Sequence, residues 1–325
     1  MREIKVVLGI LSYNFASNIG KAIESMLVQE TDFPFRIVVV DDCSSDGSQE
    51  IIAKYAREFG DIITADILPE NTRGRISMLR LINHFKGADY CSILDGDDYW
   101  LGTTRLQKQI DFLEANPEYS MCGGITKIVF QNGDFKFAPY AQADRGTTYT
   151  FADFIVNPDL FHTSSVIYRN LHYNKGIPQN MFQGTLYGSD NFTREDNRMM
   201  LHLEAGPMFC LDEVVSCYNH GVGYYSSTEN YHRLLLDALR ELGVLIHYRD
   251  RYPELYPTMY NHYKMLFGKC LYKLFNENLF FPNIQLTLEE TKLLARLLVL
   301  AKEYEDLEDS LNPDWRPLET LLTRG

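Results

Sequence analysis

The sequence predicts an α/β protein built on a central sheet, with a helical appendage at its carboxyl end. Three observations carry this prediction. Over residues 1–120, short β-branched runs alternate with amphipathic segments, the pattern of βαβ units. Those runs are of the continuous apolar type that strands buried on both faces show. Beyond Glu229 the apolar spacing changes to a helical period. With 45% hydrophobic and 23% charged residues in 325, the chain has the composition of a folded protein rather than a disordered one.

The elements follow in order. Val6 to Leu11 reads as the first strand, Ile37 to Val40 as the second and Ile62 to Ile67 as the third, and a fourth ends at Leu94. A helix after Ser17 or Asn18 places Ile19, Ile23, Met26 and Leu27 on one face, and another after Asp46 does the same with Ile51, Ile52, Tyr55 and Phe59. A further helix presents Leu106, Ile110 and Leu113 until Asn116 and Pro117 stop it, because the residue before proline is driven from helical conformation. From Gly123 to about Ser227 the pattern is mixed, with strand-like pieces such as Ser165 to Tyr168, and reads as loops closing over a site. In the tail, Leu235, Leu239, Leu242 and Ile246 form one stripe. Leu293, Leu294, Leu297, Leu298 and Ala301 form another, opened by a capping box from Thr287 to Glu290. The expected division is 1–228 and 229–325, with the first part subdivided after 120.

Composition narrows the partners. A formal charge of −13 argues against nucleic acid, which is held by clustered Lys and Arg. The six cysteines lack zinc or redox spacing and read as reduced thiols of a cytoplasmic protein. The amino-terminal apolar run reads as a strand rather than a signal peptide. No stretch approaches the ~20 apolar residues that span a bilayer, so a transmembrane segment is not expected, and peripheral contact at the inner face of the membrane is left open.

In a parallel sheet the loops after the carboxyl ends of strands gather at one edge. Here those loops are Ser12-Tyr13-Asn14, Asp41 to Ser48, and Asp95-Gly96-Asp97-Asp98-Tyr99-Trp100. Clustered carboxylates repel one another unless a cation joins them. Mg²⁺ or Mn²⁺, which take oxygen ligands and bridge to substrate phosphates, would let an acidic protein bind a diphosphate. Each loop taken alone also reads as a turn or a helix cap.

Taken in order, VVLGILSYN, VVVDDCSSDGS, Glu70-Asn71 before Arg73-Gly74, LDGDDYW, RLQKQIDFLEANPEY, HTSSVIYR and REDNRMMLHLEAG resemble a family 2 glycosyltransferase of the GT-A (Rossmann-like) fold, from Val6 to about Ser227. The resemblance implies a mixed central sheet, with a nucleotide-binding half at 1–120 and an acceptor-side half at 121–228. It implies inverting transfer of a sugar from a nucleoside-diphosphate-sugar, by default a UDP-sugar, to a hydroxyl of a glycan, lipid-linked or protein acceptor in surface glycan or polysaccharide synthesis. Ser12, Tyr13, Asn14, Asp42, Arg73, Asp95 and Gly96 would bind the nucleotide-sugar, with Tyr13 stacking on the base and Asp42 accepting its hydrogen bond. Asp97 would hold Mn²⁺ or Mg²⁺, and His220 would be a further ligand or a diphosphate contact. Asp196 would be the general base, with Glu195 as its competitor. Tyr224 and Tyr225 are candidates for acceptor contact.

Two departures stand out. Asn219 occupies a position where the family usually has Arg, and Ser77-Met78-Leu79-Arg80 replaces a common Asn or Arg-Asn, so Arg75 and Arg80 compete with Arg73. Two other readings use the same residues. A nucleotidyltransferase would need a Gly-rich first loop, which Ser12-Tyr13-Asn14 is not. A non-catalytic nucleotide-sugar or carbohydrate-binding protein on this fold is the second.

Overall fold

The computed structural model describes residues 4–72, 74–138, 146–157, 160–175, 195–222, 231–272 and six positions between 294 and 301. Arg73, Tyr224, Tyr225 and the capping box at 287–290 lie outside these, as do the side chains of Arg75 and Asp196. The described residues fall into two compact units, the first ending at Val222 and the second beginning at Tyr231.

In the first unit the order is β1 (Val6–Ser12), α1 (Ile19–Leu27), β2 (Phe35–Asp41), α2 (Ser48–Glu58), β3 (Ile63–Ile67), α3 (Arg75–His84), β4 (Tyr90–Asp95), β5 (Tyr99–Trp100) and α4 (Arg105–Ala115). There follow β6 (Met121–Val129), β7 (Phe135–Ala138), β8 (Thr147–Tyr149), α5 (Phe151–Val156), β9 (Ile167–Arg169), α6 (Glu195–Ala205) and β10 (Met208–Asn219). All ten strands join one mixed sheet of order β3-β2-β1-β4-β9-β6-β10-β5, with β7 on β6 and β8 on β10. β1 to β4 are mutually parallel, whereas β9 runs antiparallel to both of its neighbours.

The strands expected at 6–11, 37–40, 62–67 and before 94 form because continuous β-branched runs suit a sheet covered on both faces. Val6, Leu8 and Ile10 pack on Ile19, Ile23 and Met26 of α1, in a core that also takes Leu106, Ile110 and Leu113 of α4. On the opposite face Leu81 of α3 closes on Gly9 so tightly that a Cβ there would lie 2.6 Å from it. Helix α3 is a finding of the structure, because its apolar spacing is weak. It is pinned to β3 by Asp66, which accepts from Arg80 at 2.8 Å and from the His84 ring at 2.9 Å. Burial alone would raise the Asp66 carboxyl, but these two partners hold it below its ordinary value. Arg80 is therefore committed to holding the helix.

After 123, where covering loops with short strand-like pieces are expected, the described residues extend the sheet: the piece expected at Ser165 to Tyr168 is β9, and β6, β7, β8 and β10 are added to it. Two glycines in β6 and a bulge in β10, where the register slips between Cys210 and Ser216, hide the two-residue period that marks a strand. In the second unit, α7 (Tyr231–Tyr248) buries Leu235, Leu239 and Leu242 of the expected stripe, whereas Ile246 is 36% exposed. A second helix, α8 (Tyr256–Tyr272), buries Met259, Tyr263 and Cys270. Among the described residues no helix is long and apolar enough to cross a membrane.

Candidate active site

From β1 the chain proceeds to β2 and β3 on one side, then returns to place β4 on the other. Open α/β sheets bind ligands at such a reversal, beyond the strands' carboxyl ends. Register brings the three predicted loops together there: Ser12 lies opposite Asp41, and Leu11 opposite Asp95. Main-chain bonds lock the edge, from Asp42 N to Ser12 O at 2.9 Å and from Gly96 N to Leu11 O at 2.8 Å. A side chain at Gly96 would meet Leu11 O at 3.1 Å and the Phe15 ring at 3.0 Å, so glycine suits this close approach.

Tyr13 is 44% exposed at this edge, and the Ser12 hydroxyl beneath it is buried without a hydrogen-bond partner. Asn14 and Cys43, on facing loops, both have left-handed backbones, with φ of 57° and 62°. Such conformations cost on the order of 1–3 kcal/mol each and persist only where neighbours hold them. The restraints are visible. Asn14 N donates to Ser44 Oγ at 2.8 Å, and Asn14 Oδ1 accepts from Ser45 N at 2.9 Å.

Asp42 is 3% exposed and organises the segment ahead of α3. Its Oδ1 accepts from Thr72 N at 3.0 Å and from Thr72 Oγ1 at 2.6 Å, while Oδ2 accepts from Gly74 N at 2.8 Å. Gly74 itself has φ +80°, a conformation that favours glycine. Among the described residues Oδ2 has this one donor. Replacing Asp42 by Ala is expected to cost about 1–3 kcal/mol, because three part-buried donors lose their acceptor. It should also open residues 72–74 to proteolysis; an unchanged thermal midpoint and cleavage pattern would contradict this anchoring.

The acidic loop after β4 is the electrostatic centre of the edge. Asp97 and Asp98 are 3% and 1% exposed. Burial raises all three carboxyls of the loop. For Asp97 the charge of Asp95 adds to it, giving a value of about 7. Asp98 is pushed further by burial and by the charges of Asp97 and Asp95, against a hydrogen bond from Asn219. Oδ2 of Asp98 is buried without a hydrogen-bond partner. A divalent cation would answer each of these features, since it replaces shared protons and satisfies an orphaned oxygen. Among the described residues no three His, Cys, Asp or Glu side chains are arranged to ligate a metal.

Two residues that act on the loop, Asn219 and Arg198, had no assigned role in the sequence; they stand beside His220, Glu195 and Asp196, which did. Asn219, at the end of β10, donates its N–H to Asp98 Oδ1 at 3.0 Å and its side-chain amide to the Asp97 carbonyl. It thus clamps the loop with uncharged donors. His220 follows it, its N–H bound to Val129 O at 2.9 Å and its ring 5.0 Å from that of Phe130. Glu195 Oε1 accepts from Thr163 N at 2.6 Å, and the charge of Glu195 is felt at Asp98. Arg198, 3% exposed on α6, acts on Asp95 in the opposite sense to burial. Asp196 is the second residue of α6. No local pattern marks Asn219 or Arg198, because each acts on a loop about 100 or more positions away in sequence.

Residues 8–174 match the sequence model of the family described as Glycosyl transferase family 2. The match ends before Asp196 and His220, short of the Ser227 limit that the motifs suggest. An uncharacterized protein of Mycobacterium tuberculosis is 24% identical over 225 residues, covering 67% of this chain and 60% of the relative. The chain thus spans about three fifths of that relative's length. Among solved structures, S. aureus TarS (its residues 1–349) has a TM-score of 0.52 at 17% identity, covering 91% of this chain and 79% of that one. The mannosyltransferase PcManGT of Pyrobaculum calidifontis, determined with GDP-Man and Mn²⁺, has a TM-score of 0.51 at 17% identity, covering 93% and 81%. At these identities the likeness establishes the fold, the mixed-sheet GT-A arrangement.

Proposed function

Because the chain belongs to glycosyl transferase family 2, we propose that it moves a sugar from a nucleoside-diphosphate donor to an acceptor hydroxyl, with inversion and with Mn²⁺ or Mg²⁺. The observation that carries this reading is the buried, mutually repelling loop Asp95 to Asp98 at the sheet reversal, beside the exposed ring of Tyr13. Tyr13 stacks on the base, and Ser12, Asn14, Asp42 and Arg73 surround the nucleotide. Asp95 and Gly96 bind the nucleotide-sugar, Asp95 at the ribose, and Asp97 holds the ion, with His220 as a further ligand or a diphosphate contact. The metal, when bound, neutralises charge on the departing diphosphate.

Asp196 serves as the general base. Glu195 accepts a hydrogen bond from Thr163 N, a structural contact that supports Asp196 over its neighbour. A uridine donor is the default. The acceptor is a glycan, lipid-linked sugar or protein in surface glycan synthesis, met in the cytoplasm or at the inner face of the membrane.

The test is a nucleotide-sugar panel with and without Mn²⁺. One donor should be turned over slowly, releasing nucleoside diphosphate, and Asp196→Asn should keep donor binding while losing transfer by 10²-fold or more, the scale of general base catalysis. Undiminished transfer removes Asp196 from the scheme. Release of pyrophosphate instead would indicate nucleotidyl transfer, and binding without turnover across the panel a non-catalytic protein.

A further inference from the structure

Beyond the acidic loop the strands run side by side in the order β7-β6-β10-β5, and their register sets four residues in one row. Phe137 lies opposite Lys127, Lys127 opposite Cys217, and Cys217 opposite Tyr99. Directly opposed residues share a face of the sheet. Lys21 of α1 closes the row, its Nζ 3.3 Å from the centre of the Tyr99 ring. In the adjoining row Phe135 lies opposite Val129, and Val129 opposite Asn219, the clamp of the acidic loop. Lys127 Nζ sits 4.4 Å from the Phe135 ring centre, and the Phe135 and Phe137 rings are 5.5 Å apart. This patch therefore begins beside the candidate active site.

Its chemistry differs from the rest of the surface. Phe135 is 54% and Phe137 38% exposed, which is more than a core role requires. In a chain of net charge −13, neither Lys21 nor Lys127 forms an ion pair among the described residues. Burial raises the Cys217 thiol, while a hydrogen bond with Tyr99 and the charges of Lys21 and Lys127 act against it. Exposed rings receive the faces of sugars, and unpaired ammonium groups receive anions. Here a ring and an ammonium group stand together twice, Phe137 with Lys127 and Tyr99 with Lys21, on either side of the buried Cys217, so that ring and charge alternate along the row. A ligand matching that alternation carries ring and charge in the same short unit. A polyol phosphate offers no ring. A membrane would be met by an apolar hairpin tip, whereas the β6–β7 tip, Gln131 to Asp134, is polar.

We propose that this row is the acceptor platform, and that the acceptor is a glycan whose sugars bear carboxylates. The assignment rests on the transferase reading above for its acceptor side alone. Calorimetric titration of the full chain with tetragalacturonate, maltotetraose and inorganic polyphosphate tests it, together with Lys127→Gln and Phe137→Ser. Tetragalacturonate should bind, each substitution should weaken it by about tenfold or more, and maltotetraose should not bind. Thermal midpoints and the thermal shift by nucleotide-sugar should be unchanged in both variants. Absence of tetragalacturonate binding, equal binding by the variants, equal binding of polyphosphate, or variant-sensitive capture by anionic phosphatidylglycerol vesicles would each overturn the proposal. Donor turnover in the wild type separates the two readings: turnover without galacturonate binding sinks the platform, and galacturonate binding without turnover sinks the transferase.

Discussion

Asp97→Asn is expected to abolish sugar transfer and, in the same protein, to raise stability at pH 8 when divalent cation is withheld. The two effects share one cause. Burial and the Asp95 charge raise the Asp97 carboxyl to about 7, above the ~3.9 of an unfolded chain. A group raised on folding contributes its stability in full below the unfolded value and loses it as pH rises through the folded one. At pH 8 the cation-free wild type therefore carries an ionised carboxyl that the fold disfavours, on the order of a few kcal/mol. Asn keeps the shape and cannot ionise. Its stability advantage, measured by thermal unfolding in EDTA, should be largest at pH 8 and smaller at pH 5. Added Mn²⁺ should raise the wild-type midpoint and leave that of the variant unmoved. Turnover should fall by 10²–10³-fold or more, the scale of losing one preorganised electrostatic contact. A variant less stable than wild type at both pH values would refute this account of the loop.

Arg105→Ala is expected to cost about 3–5 kcal/mol, a large share of the total stability of a domain. Arg105 is 2% exposed. Its guanidinium donates to the carbonyls of Ser164 at 3.1 Å, Val215 at 3.0 Å and Ser165 at 3.0 Å, and to Gln109 at 3.0 Å. It also stacks 3.8 Å over Trp100, two residues beyond Asp98. Burial depresses its pKa to about 9, which leaves it charged at pH 7 and shows that the site is costly for a cation. Two of its acceptors have a second donor: Val215 O from Leu101 N, and Ser165 O from Gln109. Arg105→Met, which fills the volume and relieves the buried charge, should therefore cost much less than Arg105→Ala, about 1–2 kcal/mol. Denaturant melts of the two variants decide it. Equal losses would mean that the hydrogen bonds dominate and the packed volume does not.

The readable features of this protein share a local origin. The β-branched runs ending at Leu11, Val40 and Leu94 declare buried strands within a few residues, so Tyr13, Asp42, Asp95 and Asp97 could be placed at strand ends without knowing which strands are neighbours. The mixed sheet and the family likewise followed from motif order. Beyond β5 the same reading turned strands into loops, because Gly123-Gly124 and the β10 bulge erased the period on which it depends. Partners distant in sequence were out of its reach.

By itself, then, the sequence determined the alternation of strands and helices over the first 120 residues and the loading of three strand ends with an aromatic and carboxylates, since hydrophobic period and residue type are local quantities. Only the tertiary structure decided what those carboxylates experience. The return of β10 beside β6 sets Asn219 against an acidic loop 121 positions earlier, and α6 brings the Arg198 charge near Asp95. The raised carboxyls and the lysine–phenylalanine row both come from burial and register across strands far apart in the chain, and no window of sequence contains both sides of such a contact.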